Sequence, residues 1–130
     1  MNDERPISFV GTTAANDSTE EVYQFEQPGV ITGAEIVTHT GQEYALRNYA
    51  QVIRDGTRTT LWEALGEQYL AGDGEDFSLS LRFEFQKGDK LVLKAENASS
   101  QYDYHHNMTL SIDYAESIGE RIASALRGVA

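Results

Sequence analysis

Three groups of side chains carry types that could do chemistry. His105 and His106 are adjacent, Asp103 lies just before them, and His39 is the remaining histidine. Imidazole and carboxylate together are zinc-ligand types, but tetrahedral zinc draws its ligands from several places. Adjacent side chains on a strand point to opposite faces, so His105 and His106 converge on one ion only if they sit in a loop. The second group is Gly72-Asp73-Gly74-Glu75-Asp76. Its carboxylates Asp73, Glu75 and Asp76 on a glycine-rich turn make a calcium candidate, because calcium takes several oxygen ligands from a flexible loop. The segment lacks the full spacing and closing glutamate of a helix-loop-helix calcium site. No other cofactor is indicated. The third group is aromatic: Tyr102, Tyr104 and His105, with Trp62 and Tyr69 elsewhere. Flat amphipathic rings suit a glycan-binding surface, and they equally suit the edge of a sandwich with ring buried and hydroxyl wet.

Motifs for catalysis are missing. Serines are plentiful, but none stands in a Gly-x-Ser-x-Gly elbow. No glycine-rich dinucleotide fingerprint and no phosphate-binding loop ending in Gly-Lys-Ser/Thr occurs. Pairs of carboxylates are too abundant for any one pair to signal glycoside hydrolysis. With no cysteine there is no disulfide, thiolate metal site or cysteine nucleophile. The expectation is a non-enzymatic protein.

The elements that must position these residues read mostly as strands. In Phe77-Ser78-Leu79-Ser80-Leu81-Arg82-Phe83-Glu84-Phe85, apolar side chains hold every odd position and polar ones every even position. This period of two marks a strand with one buried and one wet face. Gln86-Lys87-Gly88-Asp89 stops it, and Lys90–Glu96 resumes as a strand with Leu91, Leu93 and Ala95 on one face. Residues 97–107 are polar and read as a loop. Met108, Leu110, Ile112 and Tyr114 then alternate with polar neighbours. The three strands suggest a meander or part of a Greek key.

Upstream, Asp55-Gly56 favours a tight hairpin turn between Tyr44–Arg54 and Thr57–Ala64. The first arm also fits a helical stripe through Leu46, Tyr49, Ala50 and Ile53. The turn and the β-branched partner arm favour a strand. Val30–Thr38 reads as a strand with Gly33 at a bulge, Glu21–Phe25 as another, and Ile7–Val10 as a short edge strand. At the C-terminus the period changes. Ile118, Ile122, Ala125 and Leu126 fall at helical spacing after a Ser117/Glu120 capping box, which predicts a short amphipathic helix over Ser117–Arg127. Its apolar stripe must pack on something, either its own sandwich or a neighbouring subunit. The organisation expected is a β-sandwich over 1–116 and a C-terminal helix and tail over 117–130. The fold class is all-β, an antiparallel β-sandwich of jelly-roll type with that short α-helix.

Charge narrows the partners. The 130 residues carry 21 acids against 10 bases, a net charge of −11 spread along the whole chain. Self-repulsion of this size destabilises a compact state in dilute salt and is screened in concentrated salt, which points to a high-salt setting. Nucleic acid is not an expected partner, because its binding needs positive charge. No apolar run is long enough for a membrane span, and Met1–Pro6 lacks the features of a signal peptide. Asn-x-Ser/Thr sequons stand at Asn16, Asn97 and Asn107.

The stretch Phe83–Asn97, which runs strand, Gly-Asp turn, strand, asparagine, together with Met108–Tyr114 resembles the second half of many jelly-roll modules. Among these are virion surface proteins and carbohydrate-binding modules. Joined to the acidic composition, the resemblance implies a structural protein of a haloarchaeal virus: a capsid decoration, turret or tail part at the virion surface. Such a protein would be a homo-oligomer in contact with other virion proteins, and the candidate interface, read from the helical spacing and not from the resemblance, is Ile118, Ile122, Ala125 and Leu126. The alternative implied is a carbohydrate-binding module using Tyr102, Tyr104 and His105.

Overall fold

The computed structural model describes residues 3–114. The expected helix with Ile118, Ile122, Ala125 and Leu126 lies outside the described residues. Among the described residues there are eight strands: β1 (Asp3–Thr13), β2 (Ser18–Gln24), β3 (Gly29–Val37), β4 (Leu46–Arg54), β5 (Thr57–Thr60), β6 (Asp76–Phe85), β7 (Lys90–Asn97) and β8 (Tyr104–Tyr114). They form two four-stranded sheets, ordered β1-β8-β3-β6 and β2-β7-β4-β5. Every pairing is antiparallel. Folding the chain on itself gives the ribbons β1·β8, β2·β7, β3·β6 and β4·β5, and this nesting is the jelly roll.

Period-two segments form these strands because each must bury one face between the sheets. Phe9, Ile31, Ile36, Leu46, Trp62, Leu91, Leu93, Met108, Leu110 and Ile112 are fully buried there. The Asp55-Gly56 turn has both central residues at positive φ, 49° and 79°, as a two-residue hairpin requires. Tyr44–Arg54 is therefore a strand arm, beginning at Leu46, and the helical stripe loses. The register shifts between Ile31 and Gly33, so the bulge lies where the glycine predicts it. At the far end Phe25 and Phe85 stack at 3.7 Å, with Tyr114 edge-on to both.

Several expectations need correction. Successive strands mostly change sheets, so of the two expected arrangements β6, β7 and β8 form part of a Greek key and not a meander: β7 lies in the sheet opposite its two neighbours. Period two reports which face is buried and is silent on which strand pairs with which. The edge strand expected over Ile7–Val10 runs from Asp3 to Thr13, carried by pairing with β8 along its whole length. The loop expected over 97–107 is shorter, because β8 starts at Tyr104 and His106 turns inward. The arm Thr57–Ala64 is strand only to Thr60; Leu61–Leu65 then makes a 3-10 turn that buries Trp62 and ends at Gly66 in a left-handed conformation. Trp62 is thus core, its indole N–H donating to the Asn48 carbonyl at 3.1 Å, and takes no part in a recognition surface.

Candidate functional site

Four connections gather at one end of the sandwich: β1–β2, β3–β4, the segment leading into β6, and β7–β8. They are tied to each other. The Asn16 N–H donates to the Ser99 carbonyl at 2.9 Å, and the Ala15 N–H to Asp103 Oδ1 at 3.0 Å. The Tyr104 hydroxyl donates to the Gly41 carbonyl at 2.9 Å. The Gly41 and Glu43 N–H groups donate to Asp73 Oδ1, and the Tyr44 hydroxyl donates to Glu75 Oε1 at 2.9 Å. Glu43 and Tyr44 both have positive φ, 50° and 63°, a conformation that costs a side-chain-bearing residue about 1–2 kcal/mol. The cross-ties hold them there and leave Tyr44 59 % exposed.

The aromatic group divides. Tyr102 is exposed and lies 6.3 Å from the Tyr104 ring, tilted by 35°. His105 is exposed, edge-on to His39 at 6.3 Å, with Nδ1 at 3.1 Å from both Thr12 Oγ1 and the Gly11 carbonyl. Tyr102, Tyr104, His105, His39 and Tyr44 therefore share this end. Tyr69 lies apart, against Tyr49 and Arg47. Tyr44 escaped the sequence reading, because nothing in Gly41-Gln42-Glu43-Tyr44 announces a left-handed turn. Beneath the loops Gln42 is buried, donating from Nε2 to the His105 carbonyl at 2.9 Å, while its Oε1 has no hydrogen-bond partner among the described residues.

The metal candidates do not converge. His105 and His106 sit on β8 and point to opposite faces; His106 is buried, stacked on Phe9 at 4.2 Å, with Nδ1 2.9 Å from Thr13 Oγ1. Burial pushes its pKa down, against a smaller opposing effect of Glu21. Asp73 and Glu75 are turned to the groups named above, and Asp76 opens β6. Among the described residues no group of three or more histidines or carboxylates could hold a metal ion. Of the sequons, Asn97 is buried with Nδ2 donating to the carbonyls of Thr13 and Tyr102, so its amide already has structural work.

A second surface lies along the side where the sheets end at β5 and β6. β5 has four residues and β6 ten, so among the described residues much of β6 has no strand facing it across the sandwich. Phe77, Leu79, Leu81 and Phe83 on its inner face are only partly buried. An apolar groove of about 340 Å³ runs between β6 and the β5–3-10 segment, lined by Leu61, Leu65, Leu81 and Phe83 among others. Leu65 is 49 % exposed. A second groove of about 350 Å³ continues the seam past Val52 and Phe83. The period of two predicts one buried and one wet face for β6, and alternation cannot show that the opposing arm stops early and leaves the inner face half-covered.

No helix among the described residues is long and apolar enough to cross a membrane. No protein-family model matches the chain, and no curated protein matches it in sequence. Solved structures do align. A mitogen derived from Yersinia pseudotuberculosis aligns at 10 % identity over 87 % of this chain and 88 % of its own, with TM-score 0.46. Infectious bursal disease virus, Gx strain, aligns at 13 % identity over 90 % of this chain and 34 % of the viral one, with TM-score 0.43. VP2 of that virus, in its subviral particle, aligns at 14 % identity over 85 % and 33 %, with TM-score 0.41. This chain thus spans about a third of the viral chains. All three scores fall below 0.5, so the jelly-roll assignment rests on this chain's own strand order.

Proposed function

We propose that this protein is a non-enzymatic assembly module, a virion-surface component such as a capsid decoration, that works as a homo-oligomer in concentrated salt. The observation that carries the assembly reading is the seam at β5 and β6, where, among the described residues, a ten-residue edge strand leaves a row of apolar side chains half-covered. Soluble proteins guard such edges, and an unguarded one is a place for another chain. The likeness of Phe83–Asn97 to the jelly-roll modules of virion surface proteins supplies the virion part of the reading. The net charge of −11 supplies the salt, and argues against nucleic acid as a direct partner. The test is the solution mass by light scattering of the full chain, in dilute salt and in about 2–3 M salt, where the Debye length falls to about 3 Å or less. A discrete oligomer in concentrated salt is expected, with a melting temperature that rises with salt. A monomer under every condition would overturn the reading.

The opposite end supports a second reading, a glycan-binding surface. Tyr44 and Tyr102, at 59 % and 61 % exposure, stand on loops fixed by cross-ties, with His105 and His39 beside them. Binding on a glycan array that is lost in Tyr102→Ala and Tyr44→Ala would favour it; an empty array would remove it.

A further inference from the structure

We infer that the occupant of the β6 edge is a second copy of this chain, whose own β6 adds antiparallel about a twofold axis through Leu79. This rests on the assembly reading and names its partner and register. Among the described residues four strands stand at sheet edges. β1 carries Pro6, which cannot donate to a new ladder. β2 carries Glu20 and Glu21, one on each face, and β5 is four residues long. β6 has no proline, no lysine and no inward-pointing charge over its ten residues, and its pairing with β3 is regular along Phe77–Ser80.

Charge selects the register. Inner residues must meet inner residues, so the axis passes through a single residue of β6. An axis at Ser80 sets Asp76 against Glu84 of the second copy, and one at Arg82 sets two arginines together. An axis at Leu79 places Asp76 opposite Arg82, Phe77 opposite Leu81, Ser78 opposite Ser80, and Leu79 opposite itself. Seven residues of each strand then overlap, Asp76 to Arg82, and at both ends Asp76 meets Arg82, whose guanidinium also holds Glu84 of its own strand at 3.1 Å. An axis at Phe83 also pairs opposite charges, Arg82 with Glu84, but runs off the end of the strand at Phe85, and one at Leu81 overlaps Phe77 to Phe85 but sets Arg82 and Glu84 against serines, with no charge paired. In the Leu79 register the two β3-bearing sheets become one eight-stranded sheet, and the two apolar seams face each other. Two copies each at −11 repel at long range, and concentrated salt screens that repulsion more than it screens charges in direct contact, so the contact forms in concentrated salt and opens in dilute salt.

The chain has no cysteine, so a single introduced thiol reports the register. Ser78→Cys and Ser80→Cys each change one exposed serine by one atom. Directly opposite positions lie about 4.5–5.5 Å apart at Cα, within disulfide reach, while diagonal ones lie about 7–8 Å apart, beyond it. In about 2–3 M salt, an equal mixture of the two variants should oxidise to a covalent dimer, and either alone should not. A dimer by light scattering that gives no cross-link in the mixture would overturn the β6 register while leaving the assembly reading intact. A monomer whose β6 amides resist hydrogen exchange would show the edge covered by the chain's own remaining segment, and would overturn both. A monomer with β6 amides that exchange freely would do the same.

Discussion

Asp89 is the residue whose loss should be felt most clearly at the end of the sandwich opposite the tyrosines. It lies in the β6–β7 turn with its side chain 5 % exposed. Its carboxylate accepts from Arg54 Nε at 3.0 and 3.2 Å, from the Arg54 terminal nitrogen at 2.7 Å and from the Gln86 N–H at 2.9 Å. Its own carbonyl accepts from the Phe25 N–H at 2.9 Å. One residue thus joins the turns after β2, β4 and β6. The Gln86 bond is an ordinary buried hydrogen bond, worth about 1 kcal/mol. The Arg54 pair is bidentate, but the arginine side chain is 42 % exposed, so solvent discounts it to about 1 kcal/mol. Asp89→Ala should therefore cost about 2 kcal/mol. Asp89→Asn, which keeps one acceptor oxygen and sets an amide N–H₂ against Arg54, should cost about half of that.

The two effects separate with pH. The Arg54 guanidinium, helped by the Gln86 N–H, holds the Asp89 carboxyl below its ordinary 3.8, while partial burial pulls the other way. A depressed folded value means the unfolded chain binds the proton first as pH falls. The contribution is complete above about pH 4 and is lost as pH drops through the lower folded value. Urea unfolding of the parent and of Asp89→Asn, followed from neutral pH down into acid, should show a gap that is constant above about pH 4 and closes below it. An Asp89→Asn protein as stable as the parent at neutral pH, or a gap that persists unchanged into acid, would refute this account.

His106 should work in the opposite pH range. Burial lowers its folded pKa from 6.5, so stability should fall as pH drops below about 6.5, by at most about 1.4 kcal/mol per unit. Chemical denaturation of the parent against His106→Phe between pH 8 and about pH 5 would show a slope only in the parent. Glu43→Gly removes a left-handed strain of about 1–2 kcal/mol and adds about 0.5–1 kcal/mol of unfolded-state entropy, so a net gain of about 0.5–1 kcal/mol should appear as a higher melting temperature. Gly29→Ala should destabilise by more than about 2 kcal/mol or prevent folding, because its Cβ would stand 2.6 Å from the Asp113 carbonyl oxygen and 2.6 Å from Phe85 Cζ; parent-like melting would contradict the packing at that corner.

The sequence by itself determined the strands and their faces. The alternation in Phe77–Phe85 and Met108–Tyr114, the Asp55-Gly56 turn and the bulge at Gly33 are local signals, each written in one backbone preference or one period. From these the two-sheet sandwich follows, because so many half-apolar strands have no other way to bury a face. Pairing is not a local property. Whether β7 lies beside β6 or across from it depends on contacts between residues far apart in sequence, and only the folded chain decided for across. The same holds for the candidate sites. Tyr102, Tyr104 and His105 are near one another in sequence and could be read together; His39 and Tyr44 join them only because the β3–β4 connection reaches the same end. His105 and His106 are neighbours in sequence that the pleat separates, one to solvent and one to the core. Trp62 reads as an exposed recognition ring by type and is buried by a 3-10 turn that no period announces. The half-open face of β6 was decided by the early end of β5, a mismatch in length between two consecutive strands that lie in opposite sheets.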